Sequence, residues 1–411
     1  MVKSWIYRVT VSQILRALAK SCTLHRFKSL NTSLRTLPTL CLCLCLSLGA
    51  TRATAEGVQA FPPKSTWLFV VGVLEWEDKV GFGSFPQKNR QDALMVDIFR
   101  EAGVPDRQIL YIKDKKAQLA FLREQLKLFL EKIPEEGVLL FYYCGHGYSV
   151  EAKDGSSAPA FAPWDASEAG GWIMEDAAET IFRNFSGKRA VMLADCCYSG
   201  AMVKAVSRLA KDYPDAAPVA AVSSSSAKES STENWTFTEA LVASLQGAAW
   251  TDLDASGTTS LAEFAGYAEK DMSAFEGQRA SYIVPDDWPG GASLAEVTGP
   301  KDGRVGERIN AFVDNDWWQG RIIDQRGEKF LVRFLGYFKD SDTWLKADEI
   351  KPLSHQKTYA RGSRVYCEWQ NEWWPAEVLR EEDGSHLIRY AGYGEEWDEW
   401  APTSRLRTRN E

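Results

Sequence analysis

Apolar residues gather in five short runs over the first two-thirds of the chain: Trp67 to Trp76, Ile109 to Ile112, Val138 to Tyr143, Ala190 to Ala194 and Pro218 to Ser223. Runs of this kind fit strands buried on both faces, as in a parallel sheet. Between them, Asp92 to Ala102 and Ala117 to Lys132 carry apolar residues at helical spacing. Strand and helix alternate, so residues 62–284 predict an α/β domain with a mostly parallel, doubly wound sheet. After the Pro/Gly-rich linker 285–305 the helical period disappears, and short alternating strands with turns at Arg326-Gly327 and Asp383-Gly384 take its place. This last part repeats itself at an offset of 56 residues: Arg308 matches Arg364, Trp317-Trp318 matches Trp373-Trp374, Arg333 matches Arg389, Gly336-Tyr337 matches Gly392-Tyr393, and Trp344 matches Trp400. Two small antiparallel barrels are expected, over 306–352 and 362–408.

The chemistry sits at the ends of two of the apolar runs. His146 is the single histidine between Glu56 and Ser354, and it follows the run Val138 to Tyr143 in Cys144-Gly145-His146-Gly147. Fifty-one residues later, Ala190 to Ala194 leads into Asp195-Cys196-Cys197-Tyr198-Ser199-Gly200. A thiol is only a few per cent thiolate at neutral pH, so a nucleophilic cysteine needs a base, and His146 is the available one. In open α/β sheets reactive groups collect at the carboxyl ends of parallel strands, where both motifs are predicted to lie. A buried core histidine, or a zinc site made of Cys144, His146, Cys196 and Cys197, would use the same residues differently.

These motifs resemble those of the caspase and metacaspase family, in which one strand ends in His-Gly and another in Asp-x-Cys-x-Ser-Gly. The resemblance implies a caspase-like α/β/α sandwich and a cysteine-type endopeptidase, with Cys197 as nucleophile, His146 as general base, and the backbone N–H groups of Gly147 and Cys197 as oxyanion hole. Cys196 is then a bystander. The chain departs from the family at Tyr198, usually His, and at Cys144, usually Ser. The resemblance also implies an acidic pocket from Asp92 and Asp195, favouring cleavage after Arg or Lys. Asp92 is equally suited to stabilise the first turn of its own helix. Ser223 to Asn234 stands where the family places a substrate-binding loop. Lys204, Arg208 and Lys211 stand in an expected linker open to self-cleavage. The chemistry needs no cofactor. A caspase-like scaffold with little turnover, acting as an interaction protein, is the alternative.

Asp252, Asp254, Ser256, Gly257, Thr258, Ser260 and Glu263 fall at positions 1, 3, 5, 6, 7, 9 and 12 of an EF-hand loop, 252–263. Only three of them are carboxylates, so weak Ca2+ binding through Asp252, Asp254, Ser256, Thr258, Ser260 and Glu263 is the expectation, with a vestigial turn as its rival. Eight of the sixteen tryptophans lie in the C-terminal repeats. The repeats resemble Tudor, Agenet and related SH3-like barrels, which implies aromatic cages for methylated or cationic peptide side chains. The candidates are Trp318, Phe334, Tyr337 and Trp344 in the first copy, and Trp374, Tyr390, Tyr393 and Trp400 in the second. The acidic residues Glu381, Glu382, Asp383, Glu395, Glu396, Asp398 and Glu399 argue against nucleic acid there.

Residues 1–55 hold eight Lys or Arg and no Asp or Glu, followed by the apolar stretch Thr39 to Ala50 and then Ala53-Thr54-Ala55. A secretory signal peptide directing export to the periplasm or outside the cell fits this pattern, and an organelle transit peptide fits it too. Loss of those eight charges would take the formal net charge from −8 to −16, favouring basic protein or peptide substrates. It would also leave no membrane span, because the apolar stretch is too short for one. Cys22, Cys41, Cys43 and Cys45 belong to this leader, and no disulfide framework is visible in the remainder.

Overall fold

The computed structural model describes residues 60–408, except 89, 153–154, 168–169, 227–233, 286–287, 289–291, 299–302, 336, 338–340, 354–357, 370–371, 383–384 and 395–396. The leader 1–55, much of the linker, most of the loop 223–234, Gly336, and the acidic Asp383, Glu395 and Glu396 therefore lie outside the described residues. None of the described helices is long and apolar enough to cross a membrane.

The chain alternates through β1 (Thr66–Gly72), α1 (Gln91–Glu101), β2 (Ile109–Lys113), α2 (Leu119–Leu130) and β3 (Val138–Cys144). A small antiparallel sheet follows, built from β4 (Gly147–Glu151), β5 (Ser157–Phe161) and β6 (Trp172–Ile173). Then come α3 (Met174–Asn184), β7 (Arg189–Asp195), α4 (Gly200–Asp212), β8 (Val219–Ser223), α5 (Thr236–Leu245), β9 (Thr258–Ser260), α6 (Leu261–Asp271), β10 (Ser281–Ile283) and β11 (Ser293–Glu296). Six strands form the central sheet in the order β10-β8-β7-β3-β1-β2, parallel except for β10. Alternate side chains of each strand enter opposite cores: Phe69, Phe141 and Met192 pack with α2, α3 and α4, while Leu68, Leu140 and Val191 pack with α1, α5 and α6. Because both faces are covered, the strands read as unbroken apolar runs.

Two details differ from the sequence expectation. The first strand ends at Gly72, and Val73 to Trp76 leaves the sheet as a connection. Lys204, Arg208 and Lys211 lie on α4 rather than in a linker, with Arg208 paired to Glu175, so cleavage there would first have to unwind a helix.

Two five-stranded antiparallel half-barrels complete the chain. The first comprises β12 (Arg308–Val313), β13 (Asp316–Arg326), β14 (Lys329–Phe334), β15 (Thr343–Lys346) and β16 (Ile350–Pro352); the second comprises β17 (Arg364–Trp369), β18 (Glu372–Glu382), β19 (Ser385–Tyr390), β20 (Glu399–Pro402) and β21 (Leu406–Arg407). Their strand orders correspond one for one, and so do their bulges, at Ile322/Asp324 and Val378/Arg380. Each copy also carries a two-pronged ion pair, Arg333 with Asp342 and Arg389 with Asp398, both closing at 2.7 Å.

Both barrels pack on the end of α6. Arg308 Nε donates to Asp271 at 2.7 Å with both side chains 5% exposed, and Arg321 reaches the same carboxylate. From the second barrel, the Trp400 carbonyl accepts from Ser273 Oγ at 2.8 Å, and the Trp397 carbonyl accepts from Arg279 at 3.2 Å.

Candidate active site

Parallel pairing of β3 with β7 puts Tyr143 opposite Ala194 and Cys144 opposite Asp195, so both strands deliver their following loops at one edge of the sheet. The Gly145 N–H donates across that edge to the Asp195 carbonyl at 3.3 Å. Gly145 has φ +145°, and a Cβ there would fall 2.6 Å from the Val73 carbonyl oxygen, so glycine is required for the turn. Gly147 packs so closely on the Cys197 loop that a Cβ would lie 1.9 Å from the Cys197 carbonyl oxygen. His146 and Cys197 line one cleft of about 140 Å³, together with Asp195, Asn234 and Trp235.

The cysteine loop is held in an uncommon shape. Tyr198 adopts φ +60°, left-handed for a non-glycine residue, which turns the chain sharply from β7 into α4. Ser225 braces it: its Oγ donates to the Cys196 carbonyl at 2.9 Å, and its N–H donates to Ser199 Oγ at 3.2 Å. Cys197 therefore stands half-buried one turn before the N-terminus of α4. Cys144 and Cys196 are buried on opposite faces of the sheet, and burial pushes both thiols well above the ordinary range. Their divergence removes the zinc alternative; among the described residues the group able to hold a metal is Asp252, Asp254 and Glu263.

Three aromatic rings and a backbone carbonyl surround the histidine. The loop after β1 folds back so that the Gly83 carbonyl meets His146 Nε2 at 2.8 Å. A carbonyl can only accept, so Nε2 carries the proton and Nδ1 is left as the basic nitrogen. The rings of Trp76 and Phe85 lie 4.4 and 4.5 Å from the imidazole, centroid to centroid, and Phe82 lies at 5.8 Å. Trp76 is itself fixed by donating to the Ala162 carbonyl at 3.1 Å. The aromatic segment Gly81-Phe82-Gly83-Ser84-Phe85 was the available signal for this box.

The two acids expected in the substrate pocket part company. Asp195 lines the cleft and accepts from Thr238 Oγ1 at 2.6 Å; burial raises its carboxyl to about 6. Asp92 is fully buried beneath Gly72, paired with Arg90 at 2.8 Å and accepting from Tyr111 at 2.7 Å, and it is not among the residues lining the cleft. Arg90 was overlooked because it lies before the helix and its partner within it, a pairing that no periodicity reveals.

In the acidic loop, the Asp252, Asp254 and Glu263 ligand oxygens all lie within 4.8 Å of one another. Backbone N–H groups point into it: Ser256 and Gly257 donate to Asp252 at 3.0 Å each, and Leu253 donates to Glu263 at 2.8 Å. Ala255 and Gly257 take φ +59° and +89°, giving the sharp coil that a cation loop requires. Ser260 caps α6 through its side chain, and Ser256 Oγ bonds to the Thr258 carbonyl at 3.2 Å, so these hydroxyls serve the loop itself. The donor set fits a calcium ion held chiefly by three carboxylates.

The cage candidates divide by burial. Phe334, Tyr390 and Trp400 are 7, 5 and 4% exposed and belong to packing: Phe334 to the first barrel's core, Tyr390 through a short bond to Glu399, and Trp400 between Lys270 and Arg380. Trp344 is covered by Arg326 at 4.9 Å. Trp318 and Tyr337 remain as an exposed edge-to-face pair at 5.8 Å. In the second copy Trp369, Trp374, Tyr393 and Trp397 form a closed ring of contacts, with centroids 5.6–6.5 Å apart. Trp369 and Trp397 escaped the sequence reading because the first repeat has Val313 and Ser341 there.

Residues 99–206, which include His146 and Cys197, match a family model described as metacaspase, peptidase C14 domain. Residues 360–408 match one described as Tudor-knot, RNA binding activity-knot of a chromodomain. No curated protein matches the chain. Solved structures similar to it include a structural-genomics protein of Geobacter sulfurreducens, 14% identical, covering 57% of this chain and 100% of that one at a TM-score of 0.41. Caspase-1 from Spodoptera frugiperda is 10% identical over 56% of this chain and 90% of that one, at a TM-score of 0.37. Residues 99–206 thus match the metacaspase peptidase C14 domain, and residues 360–408, the second of the two half-barrels, match the Tudor-knot domain.

Proposed function

We propose that the chain is a cysteine endopeptidase using Cys197 and His146, with a preference for Arg or Lys before the scissile bond. The reading rests on one observation above all: imidazole and thiol, far apart in sequence, share one cleft with a buried acid. His146 Nδ1 takes the thiol proton, and the Cys197 sulfur attacks the peptide carbonyl carbon. The resulting oxyanion is met by the Gly147 and Cys197 N–H groups, worth about 3 to 4 kcal/mol for such donors. Collapse breaks the C–N bond, His146 returns the proton to the leaving amine, and water then hydrolyses the thioester.

Asp195 supplies the negative charge for a basic side chain, while Arg90 offsets Asp92. A carboxyl titrating at about 6 is ionised above that pH and neutral below it. KM for an Arg-terminated fluorogenic peptide therefore falls as pH rises through 6, by about tenfold between pH 5 and 7 if only the ionised form binds. Asp195→Asn flattens that dependence and removes the advantage of Arg and Lys over Asp-terminated peptides. Equal turnover of all three by wild type would refute the basic pocket, and no turnover of any would favour the scaffold reading.

The acidic loop is proposed to hold Ca2+ as a structural ion, and the four-ring cluster of the second barrel a methylated or otherwise cationic peptide side chain. A cation over such faces gains about 0.5 to 2 kcal/mol per ring. Titration calorimetry of the full chain reads both: binding of CaCl2 is lost in Glu263→Gln, and binding of a trimethyl-lysine peptide is lost in Trp374→Ala. Silence in wild type withdraws the corresponding assignment, and binding of RNA in place of the peptide reverses the second.

A further inference from the structure

We infer that Glu276 is a positioning residue for the substrate cleft, and that the two barrels are the clamp that sets it. Asn234 and Trp235 form one wall of the cleft, at the start of α5. Asn234 Nδ2 donates to Glu276 at 3.2 Å, and the Thr236 hydroxyl donates to the same carboxylate. Two residues on, Thr238 holds Asp195 and Tyr142 OH at 2.6 Å each, so the first turn of α5 is tied to Glu276 on one side and to the cleft acid on the other.

Glu276 ends the π-helical turn Met272–Glu276, which continues α6 and closes at Gly277 with φ +65°. Turns of this type are rare and recur at functional sites. Here the turn is contacted by the barrels. Arg308 and Arg321 of the first barrel pair with Asp271, just before the turn, and lie over the Phe275 ring at 6.0 and 5.7 Å. The second barrel accepts from Ser273 through the Trp400 carbonyl. A continuous set of contacts runs from both barrels through the turn to the cleft wall. The barrels thereby buttress the cleft wall.

The kinetic arm of the test rests on the peptidase reading, and the exchange arm does not. In full-length Glu276→Ala, KM for the Arg-terminated peptide rises about tenfold while kcat stays within about twofold, because the wall binds substrate and takes no part in bond breaking. Glu276→Gln keeps an oxygen acceptor for Thr236 and recovers most of the loss. Hydrogen exchange of amides 234–238 speeds up several-fold in Glu276→Ala, and also in Phe275→Leu, whose side chain stays apolar but offers no ring to the arginines. Unchanged KM and exchange in Glu276→Ala would overturn the positioning role, and unchanged exchange in Phe275→Leu would overturn the clamp. If wild type cleaves nothing, the exchange measurements still decide.

Discussion

Cys197→Ala leaves no peptide cleavage above background, and His146→Ala lowers kcat/KM by at least about a thousandfold, with little change in thermal stability for either. Members of a catalytic unit fail together, so the double variant is no worse than Cys197→Ala alone. The remaining thiols cannot substitute: Cys144 and Cys196 are buried with thiols held in the protonated form, and Cys367, pushed up to about 12, lies in the second barrel. Retained cleavage in Cys197→Ala, measured with the same fluorogenic peptides, would place the nucleophile elsewhere.

The largest effect on stability is expected at Asp271. Its carboxylate is enclosed and faces two arginines, and although burial raises it, Arg321 and Arg308 together hold it below the ordinary 3.8. Asp271→Ala removes the carboxylate that both guanidinium groups share in a buried interface, a loss of about 3 to 5 kcal/mol for a broken buried pair. Calorimetry should show the first barrel melting apart from the catalytic domain, with protease sensitivity appearing in the linker 285–305. The depressed carboxyl pKa means that this stabilisation is present above about pH 4 and is lost as acid protonates Asp271. Replacing all three charges by apolar residues of similar size recovers most of the stability, because no uncompensated charge then remains. A single cooperative transition at the wild-type temperature in Asp271→Ala would mean that the ion triad does not fasten the barrel.

The parts legible in the sequence are those whose signal is local. Leu139 to Tyr143 and Ala190 to Ala194 read as strands because helices cover both faces of the sheet, leaving no polar alternation. The barrels were evident because duplication wrote the same pattern twice at one offset. The small sheet β4–β6 passed unnoticed: Gly147 to Glu151 and Ser157 to Phe161 are half-exposed and interrupted by glycine, serine and proline. Within the site, the imidazole and thiol were visible as residue types, whereas the Gly83 carbonyl that fixes the imidazole is backbone and carries no residue signature. Asp92 looked like a pocket acid because its partner Arg90 lies outside the helical pattern. Phe334, Tyr390 and Trp400 looked like cage walls because composition does not tell a ring that fills a small barrel from one that lines its surface.

The proposed mechanism requires His146 to make the Cys197 thiol nucleophilic within a cleft suited to basic side chains. Its most direct measurement is mass spectrometry of the full chain after brief exposure to an Arg-chloromethyl ketone peptide at neutral pH. A single adduct on Cys197, absent in His146→Ala and slow with the Asp-terminated analogue, is the predicted result. Labelling of another cysteine, or labelling of Cys197 at equal rates with and without His146, would contradict it.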